Sequence, residues 1–139
     1  MSAKELLELY SRKTSQIEAL QAKIAEMRAL AEKCTTVLSF TPGGGSGNRS
    51  RLEEFVVKID SMEQQLGILW EERGGIFIDI MNLLDAMPTE KYRRVLELRY
   101  LEGKTFREIA STLYLCEKQV YRLHSKALEN AETVYAAQN

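Results

Sequence analysis

Val95-Leu96-Glu97-Leu98-Arg99-Tyr100-Leu101-Glu102-Gly103-Lys104-Thr105-Phe106-Arg107-Glu108-Ile109-Ala110 reads as the end of one helix, a tight stop and the start of another. The first helix is predicted over 89–101, with Thr89 capping it after Pro88 and an apolar stripe of Tyr92, Val95, Leu96, Leu98 and Tyr100. Gly103 ends it in the left-handed conformation that glycine adopts without steric cost. Thr105 and Glu108 then have the spacing of a capping box, in which each side chain satisfies an N–H at a helix start. Phe106, Ile109, Ala110 and Leu113 supply the buried face of this second helix, and a turn is expected at Tyr114-Leu115. A third helix is predicted over 116–132, with Val120, Leu123, Ala127 and Leu128 facing inward.

A short helix, a tight turn and a second helix with a polar, cationic outer face make a helix-turn-helix. The small Ala110 lets the two helices approach closely, and Leu115, Val120 and Leu123 anchor the third helix against the second. The residues between those anchors are Lys118, Gln119, Tyr121, Arg122, Ser125 and Lys126. Projected into a major groove, Gln can read base edges, and Arg or Lys can read guanine or hold phosphates. Thr105 stands where free N–H groups at a helix start suit a phosphate.

Upstream, two long helices are predicted, over 2–38 and 50–87. Ser2 with Glu5 and Ser50 with Glu53 form capping boxes at their starts. In the first, Tyr10, Ile17, Ile24 and Ala31 make one row and Leu6, Leu20, Met27 and Cys34 the other, with Lys13 as its one polar member. In the second, Leu52, Ile59, Leu66 and Ile80, a row interrupted by Arg73, alternate with Phe55, Met62, Leu69, Ile76 and Leu83. A repeat averaging 3.5 residues is the seam of a coiled coil. Gly74-Gly75 is a candidate kink, and Trp70 before it is expected in the core. Pro42 and the glycines of 43–47 mark a flexible loop over 40–49. No Lys follows its last glycine, so a phosphate-binding loop is not expected.

The expected fold class is therefore all-α: a long antiparallel helical hairpin over 1–87, followed by a helix-turn-helix domain over 88–139. A two-helix hairpin buries one stripe per helix, so Leu7, Leu30, Val56, Phe77 and Leu84, which lie off the seam, need another surface. The C-terminal domain or a second copy could supply it, and self-association, with a dimer favoured, is expected.

The 139 residues carry a net charge of −1, which excludes binding by bulk positive charge. The charge is uneven, at −3 over residues 1–87 and +2 over 88–139, which directs an anionic partner to the C-terminal part. Two distant cysteines and one histidine exclude a Cys/His zinc site and a disulfide scaffold. No cofactor or metal is expected. Adjacent carboxylates such as Glu53-Glu54 diverge around a helix, and Cys116 has no partner base, so no catalytic residues and no enzyme are expected. No apolar run is long enough to span a bilayer, and no signal peptide is read at the start. A cytoplasmic protein of a bacterial host cell, without membrane contact, is the expectation.

The stretch from Val95 to Ala110, continued through Val120 to Ala127-Leu128, resembles region 4 of bacterial sigma factors. The resemblance covers residues 88 to about 131. It implies a module that reads promoter DNA and contacts RNA polymerase. It places Thr105 by the DNA backbone, Lys118, Gln119, Tyr121 and Arg122 in the major groove, and Ser125 and Lys126 at its edge. The family usually has glycine where this chain has Tyr114, and Ser or Thr where it has Cys116. With a helical hairpin ahead of such a module, the whole layout resembles small phage and prophage proteins of a late-gene transcriptional regulator type. The leading expectation is a phage-type, sequence-specific DNA-binding regulator whose dimer sets two modules on two half-sites. A small terminase-like DNA-packaging component and a polymerase- or protein-binding adaptor that leaves DNA alone remain open beside it.

Overall fold

A computed structural model describes residues 1–40 and 46–139, with side chains at all of these except 37–40 and 46–48. The chain is all-α: α1 (Ala3–Phe40), α2 (Ser46–Ala86), α3 (Glu90–Leu96), a five-residue π-helix (Glu97–Leu101), α4 (Phe106–Leu113) and α5 (Glu117–Gln138). The middle of the loop expected at 40–49 lies outside the described residues. Because α2 begins at Ser46, Ser50 sits inside the helix and cannot be its cap. The Ser2–Glu5 box does form, with Glu5 N–H donating to Ser2 Oγ at 3.1 Å and Ser2 N–H to the Glu5 carboxylate at 3.0 Å. α2 is helical straight through Gly74-Gly75, so the glycines do not break it.

By contacts the chain forms two compact units, Met1–Thr14 with Arg73–Asn139, and Ser15–Glu72. The expected division after residue 87 differs from this, and the reason is the core. Ala3, Leu6 and Leu7 of α1 join Ile80, Leu83, Leu84 and Met87 in one buried cluster. The same cluster holds Val95, Leu96, Leu98, Ile109, Ala110, Val120, Ala127 and Ala131 of the C-terminal helices. Burying a Leu or Ile contributes about 1.5–3 kcal/mol, and three short helices alone offer few such side chains. The first turns of α1 and the last turns of α2 complete their core. The Glu132 carboxylate ties the α1 N-terminus to α5, accepting the N–H groups of Ala3 at 3.1 Å and Lys4 at 3.0 Å.

Within the unit Ser15–Glu72, α1 and α2 run antiparallel: Met27 lies beside residues 50–58, while residues 16–23, earlier in α1, lie beside Gln65, Ile68 and Leu69, later in α2. The heptad residues face the partner helix, but among the described residues of this unit only Ile17 and Ile24 are fully buried. Trp70, expected in the core, is instead exposed. Of the off-seam residues, Leu7 and Leu84 are buried in the first unit, while Leu30, Val56 and Phe77 stay exposed.

The helix expected over 89–101 is α-helical only to Leu96 and then widens into a π-turn. Glu102 N–H bonds the Glu97 carbonyl at 3.0 Å and Lys104 N–H the Leu98 carbonyl at 2.9 Å, with Gly103 at φ +69° between them. π-turns of this kind recur at functional sites. Here the turn buries Leu98 while Arg99 and Tyr100 contact the residues of α4 and α5 described below.

Candidate nucleic-acid interface

α4 starts at the Thr105 cap, whose hydroxyl accepts the Glu108 N–H at 3.2 Å and donates to the Glu108 carboxylate at 3.3 Å. The Thr105 hydroxyl is thus engaged in the cap, and a phosphate at this helix start would be met by backbone N–H groups. α4 ends at Tyr114, a residue 94% exposed that takes the left-handed conformation at φ 58°, ψ 41°. Tyrosine, and not glycine, holds this left-handed position. Leu115 N–H closes the turn on the Ala110 carbonyl at 2.9 Å.

α5 begins after Cys116, an exposed thiol. Gln119 Oε1 accepts the Cys116 N–H at 3.0 Å, so the Gln119 carbonyl oxygen serves the cap and its amide NH2 is the group left to face a ligand. Val120, Ala127 and Ala131 bury the inner face of the helix. Lys118, Gln119, Tyr121, Arg122, Ser125 and Lys126 are all exposed on the outside. Lys118, Arg122 and Lys126 stand four residues apart in one row, which places three cations on one face. Among the described residues none of the three is held in an ion pair. Gln119, Arg122 and Lys126 also border a groove of about 710 Å³ whose far wall includes Lys91 and Arg94 of α3.

Tyr121 is not a free-standing groove residue. Its ring packs on Phe106 with centroids 4.4 Å apart, and the Arg99 guanidinium covers the same Phe106 ring at 4.3 Å. Arg99 also donates to the Lys104 carbonyl at 3.1 Å. His124, one turn on from Tyr121, is half-buried, with Nε2 3.0 Å from the Tyr100 hydroxyl. Burial, helped by the charges of Arg99 and Lys4, holds the His124 imidazole below its ordinary pKa, so it stays neutral. Burial and then Glu8 push the Tyr100 phenol up, which keeps it protonated.

Sequence reasoning missed the Arg99–Phe106–Tyr121 stack, since its members come from three elements. It also missed Arg107, exposed in the first turn of α4, and the Lys91 and Arg94 wall. The net positive charge of residues 88–139 was the available signal for the last two. Among the described residues no three His, Cys, Asp or Glu side chains come together to hold a metal ion, and no helix is long and apolar enough to cross a membrane.

A family model described as sigma-70, region 4 matches residues 77–130, less than half of the chain. The matched stretch runs from the last turns of α2 through most of α5, and its helix-turn-helix is of the sigma-70 region 4 type. No curated protein and no solved structure matches the chain.

Proposed function

We propose that the protein is a sequence-specific, double-stranded-DNA-binding transcriptional regulator of phage type that reads its site with α5. The observation that carries this is the row of exposed cations Lys118, Arg122 and Lys126, on the second helix of a sigma-70 region 4-type helix-turn-helix. In this reading Arg122 and Tyr121 meet base edges. Lys118, Ser125 and Lys126 hold the phosphates beside them, and Gln119 offers its amide NH2. Thr105 positions the α4 N-terminus at the backbone. RNA polymerase is a second partner through the same domain. The working form is a homo-oligomer, a dimer, so that two modules bind one DNA molecule together. The setting is the cytoplasm of a bacterial host.

The test is binding of the purified protein to DNA fragments from its own genomic neighbourhood, at low and at physiological salt. Retention of selected fragments at the higher salt supports a sequence reader, because non-specific binding rests on counterion release and collapses there. Absence of binding at both salts overturns the DNA reading and leaves an adaptor that uses the domain for protein contact. A ring of eight or more copies that retains DNA would point to packaging instead.

A further inference from the structure

We infer that the first turns of α1 add a second DNA-backbone contact to the helix-turn-helix, with Lys4 and Arg12 taking phosphates beside the α4 N-terminus. The inference rests on the DNA reading proposed above and extends its surface to residues outside the stretch 77–130 that the family model matches.

The first observation is a cationic groove of about 650 Å³, whose walls belong to one compact unit. Lys4, Glu8, Ser11 and Arg12 of α1 form one wall, and Arg99, Phe106 and His124 stand on the other. The α1 residues are spaced i, i+4, i+7 and i+8, which makes them one stripe of the helix. Beside that stripe Ala3, Leu6 and Leu7 are buried in the core, so the polar edge is carried on an anchored helix. Lys4, Arg12 and Arg99 line the groove against one carboxylate, that of Glu8. The charges of Lys4 and Arg99, from opposite walls, both act on the His124 ring, as expected of cations that share one space.

The second observation is that these cations can take a further anion. Arg12 is exposed, and among the described residues it is held in no ion pair. Lys4 meets Glu8 at 4.0 Å in an exposed i, i+4 pair, a loose contact that leaves ammonium protons for a second acceptor. Arg99 gives one nitrogen to the Lys104 carbonyl and keeps its other N–H groups.

The third observation is position. Phe106 opens α4, where backbone N–H groups suit a phosphate, and its ring lies 4.4 Å from that of Tyr121 on the reading face. The same Phe106 lines the groove, so the groove adjoins both surfaces assigned to DNA. Duplex DNA carries a phosphate charge about every 1.7 Å along its axis, so a backbone that meets the α4 N-terminus continues past it. The α1 stripe is fixed there. Ser11 Oγ donates to the Tyr100 carbonyl at 3.4 Å, and the Glu132 carboxylate holds the N–H groups of Ala3 and Lys4. Lys4 and Arg12 are thus set in register with α4 before DNA arrives, which spares the entropy of ordering a loose arm.

The experiment uses the full chain and a DNA fragment from the binding test above. Lys4→Ala with Arg12→Ala should lower the salt slope of binding by about 2 and weaken binding evenly across sequences. Both side chains are exposed, so circular dichroism and the thermal melt should match those of the unaltered protein. Glu8→Gln should act in the opposite sense and tighten binding severalfold, because it removes the carboxylate lining the groove. In a Cys34→Ala, Cys116→Ser background, an iron chelate attached at Arg12→Cys should cut the DNA backbone at one edge of the bound site. An unchanged salt slope in the double variant, or no cutting from position 12, overturns the inference and leaves the DNA reading in place. No binding by the unaltered protein overturns the DNA reading itself, and the α1 contact with it.

Discussion

The Phe106 and Tyr121 rings meet with centroids 4.4 Å apart, joining the first turn of α4 to the exposed face of α5. Arg99 lies on the same Phe106 ring at 4.3 Å, so one phenyl group holds a cation and the recognition-face tyrosine together. Phe106→Ala should lower stability by about 2–3 kcal/mol, below the range for a fully buried phenylalanine because this one is half-buried. It should also weaken DNA binding by freeing Tyr121 and Arg99. Urea denaturation and a DNA titration check the two effects. Phe106→Leu should restore much of the stability without the ring stack.

Tyr114 is the one non-glycine residue at positive φ among those described, and its side chain packs on little. The left-handed conformation costs a side-chain-bearing residue about 1–2 kcal/mol, and glycine gives back about 0.4–1 kcal/mol through unfolded-chain entropy. Tyr114→Gly should therefore stabilise the protein by about 0.5–1 kcal/mol. Gly103→Ala should do the reverse by about 1 kcal/mol. No atom lies within 4 Å of the added Cβ there, so the cost is conformational and not steric. Thermal melts of the two variants should move in opposite directions.

The Glu132 carboxylate accepts the N–H groups of Ala3 and Lys4, which the α1 helix cannot satisfy itself. Glu132→Ala should cost about 1–2 kcal/mol. Amide exchange at the first turn of α1 should speed up as well. Exchange unchanged there would remove Glu132 from the cap.

His124 titrates below 6.5 in the folded protein because burial, Arg99 and Lys4 all oppose its charge. The unfolded chain then binds the proton more readily than the fold does. Stability is complete above about pH 6.5 and falls as the pH drops through the lower, folded pKa. His124→Gln should flatten this part of the profile between pH 7.5 and 5, measured by urea midpoints against the unaltered protein. A profile parallel to that of the unaltered protein would assign the decline to other groups.

Arg122→Ala should weaken binding to the selected site by roughly 1–3 kcal/mol and relax preference at one base pair. Lys126→Ala should weaken binding evenly across sequences and lower the salt slope by about 1. Anisotropy titrations at several salt concentrations separate the two, and an unchanged Arg122→Ala titration would remove that residue from base contact.

Much of the C-terminal architecture was legible because its signals are local. Gly103 and the anchors Val120 and Ala127 each act within a few residues and are found in the role their spacing predicts, whereas the Thr105–Glu108 box is half formed: Thr105 caps the Glu108 N–H, but the Glu108 carboxylate accepts the Thr105 hydroxyl and not its N–H. The π-turn at Glu97–Leu101 was not legible. The α- and π-helical readings of Glu-Leu-Arg-Tyr-Leu share one apolar pattern, and only the packing of Leu98 and the contacts of Arg99 and Tyr100 separate them. The Ser50–Glu53 box shows the converse error. The motif is local and well formed, but helix propagation from Ser46 overrides it. The expected role of Gln119 was narrowed for a similar reason, since a weak Cys116 cap draws the glutamine carbonyl to the backbone.

The sequence by itself determined the all-α class, the antiparallel heptad arms, the helix-turn-helix and the cationic face of α5. Helical periodicity, caps and turn residues act over a few positions and are written in linear order. Only the tertiary structure decided that Leu6, Leu7, Ile80 and Met87 complete the core of the C-terminal helices. It alone set Glu132 against the α1 N-terminus and Arg99, Phe106 and Tyr121 in one stack. Burial depends on which surfaces meet in space, and an amphipathic stripe states that it needs a partner without stating which one.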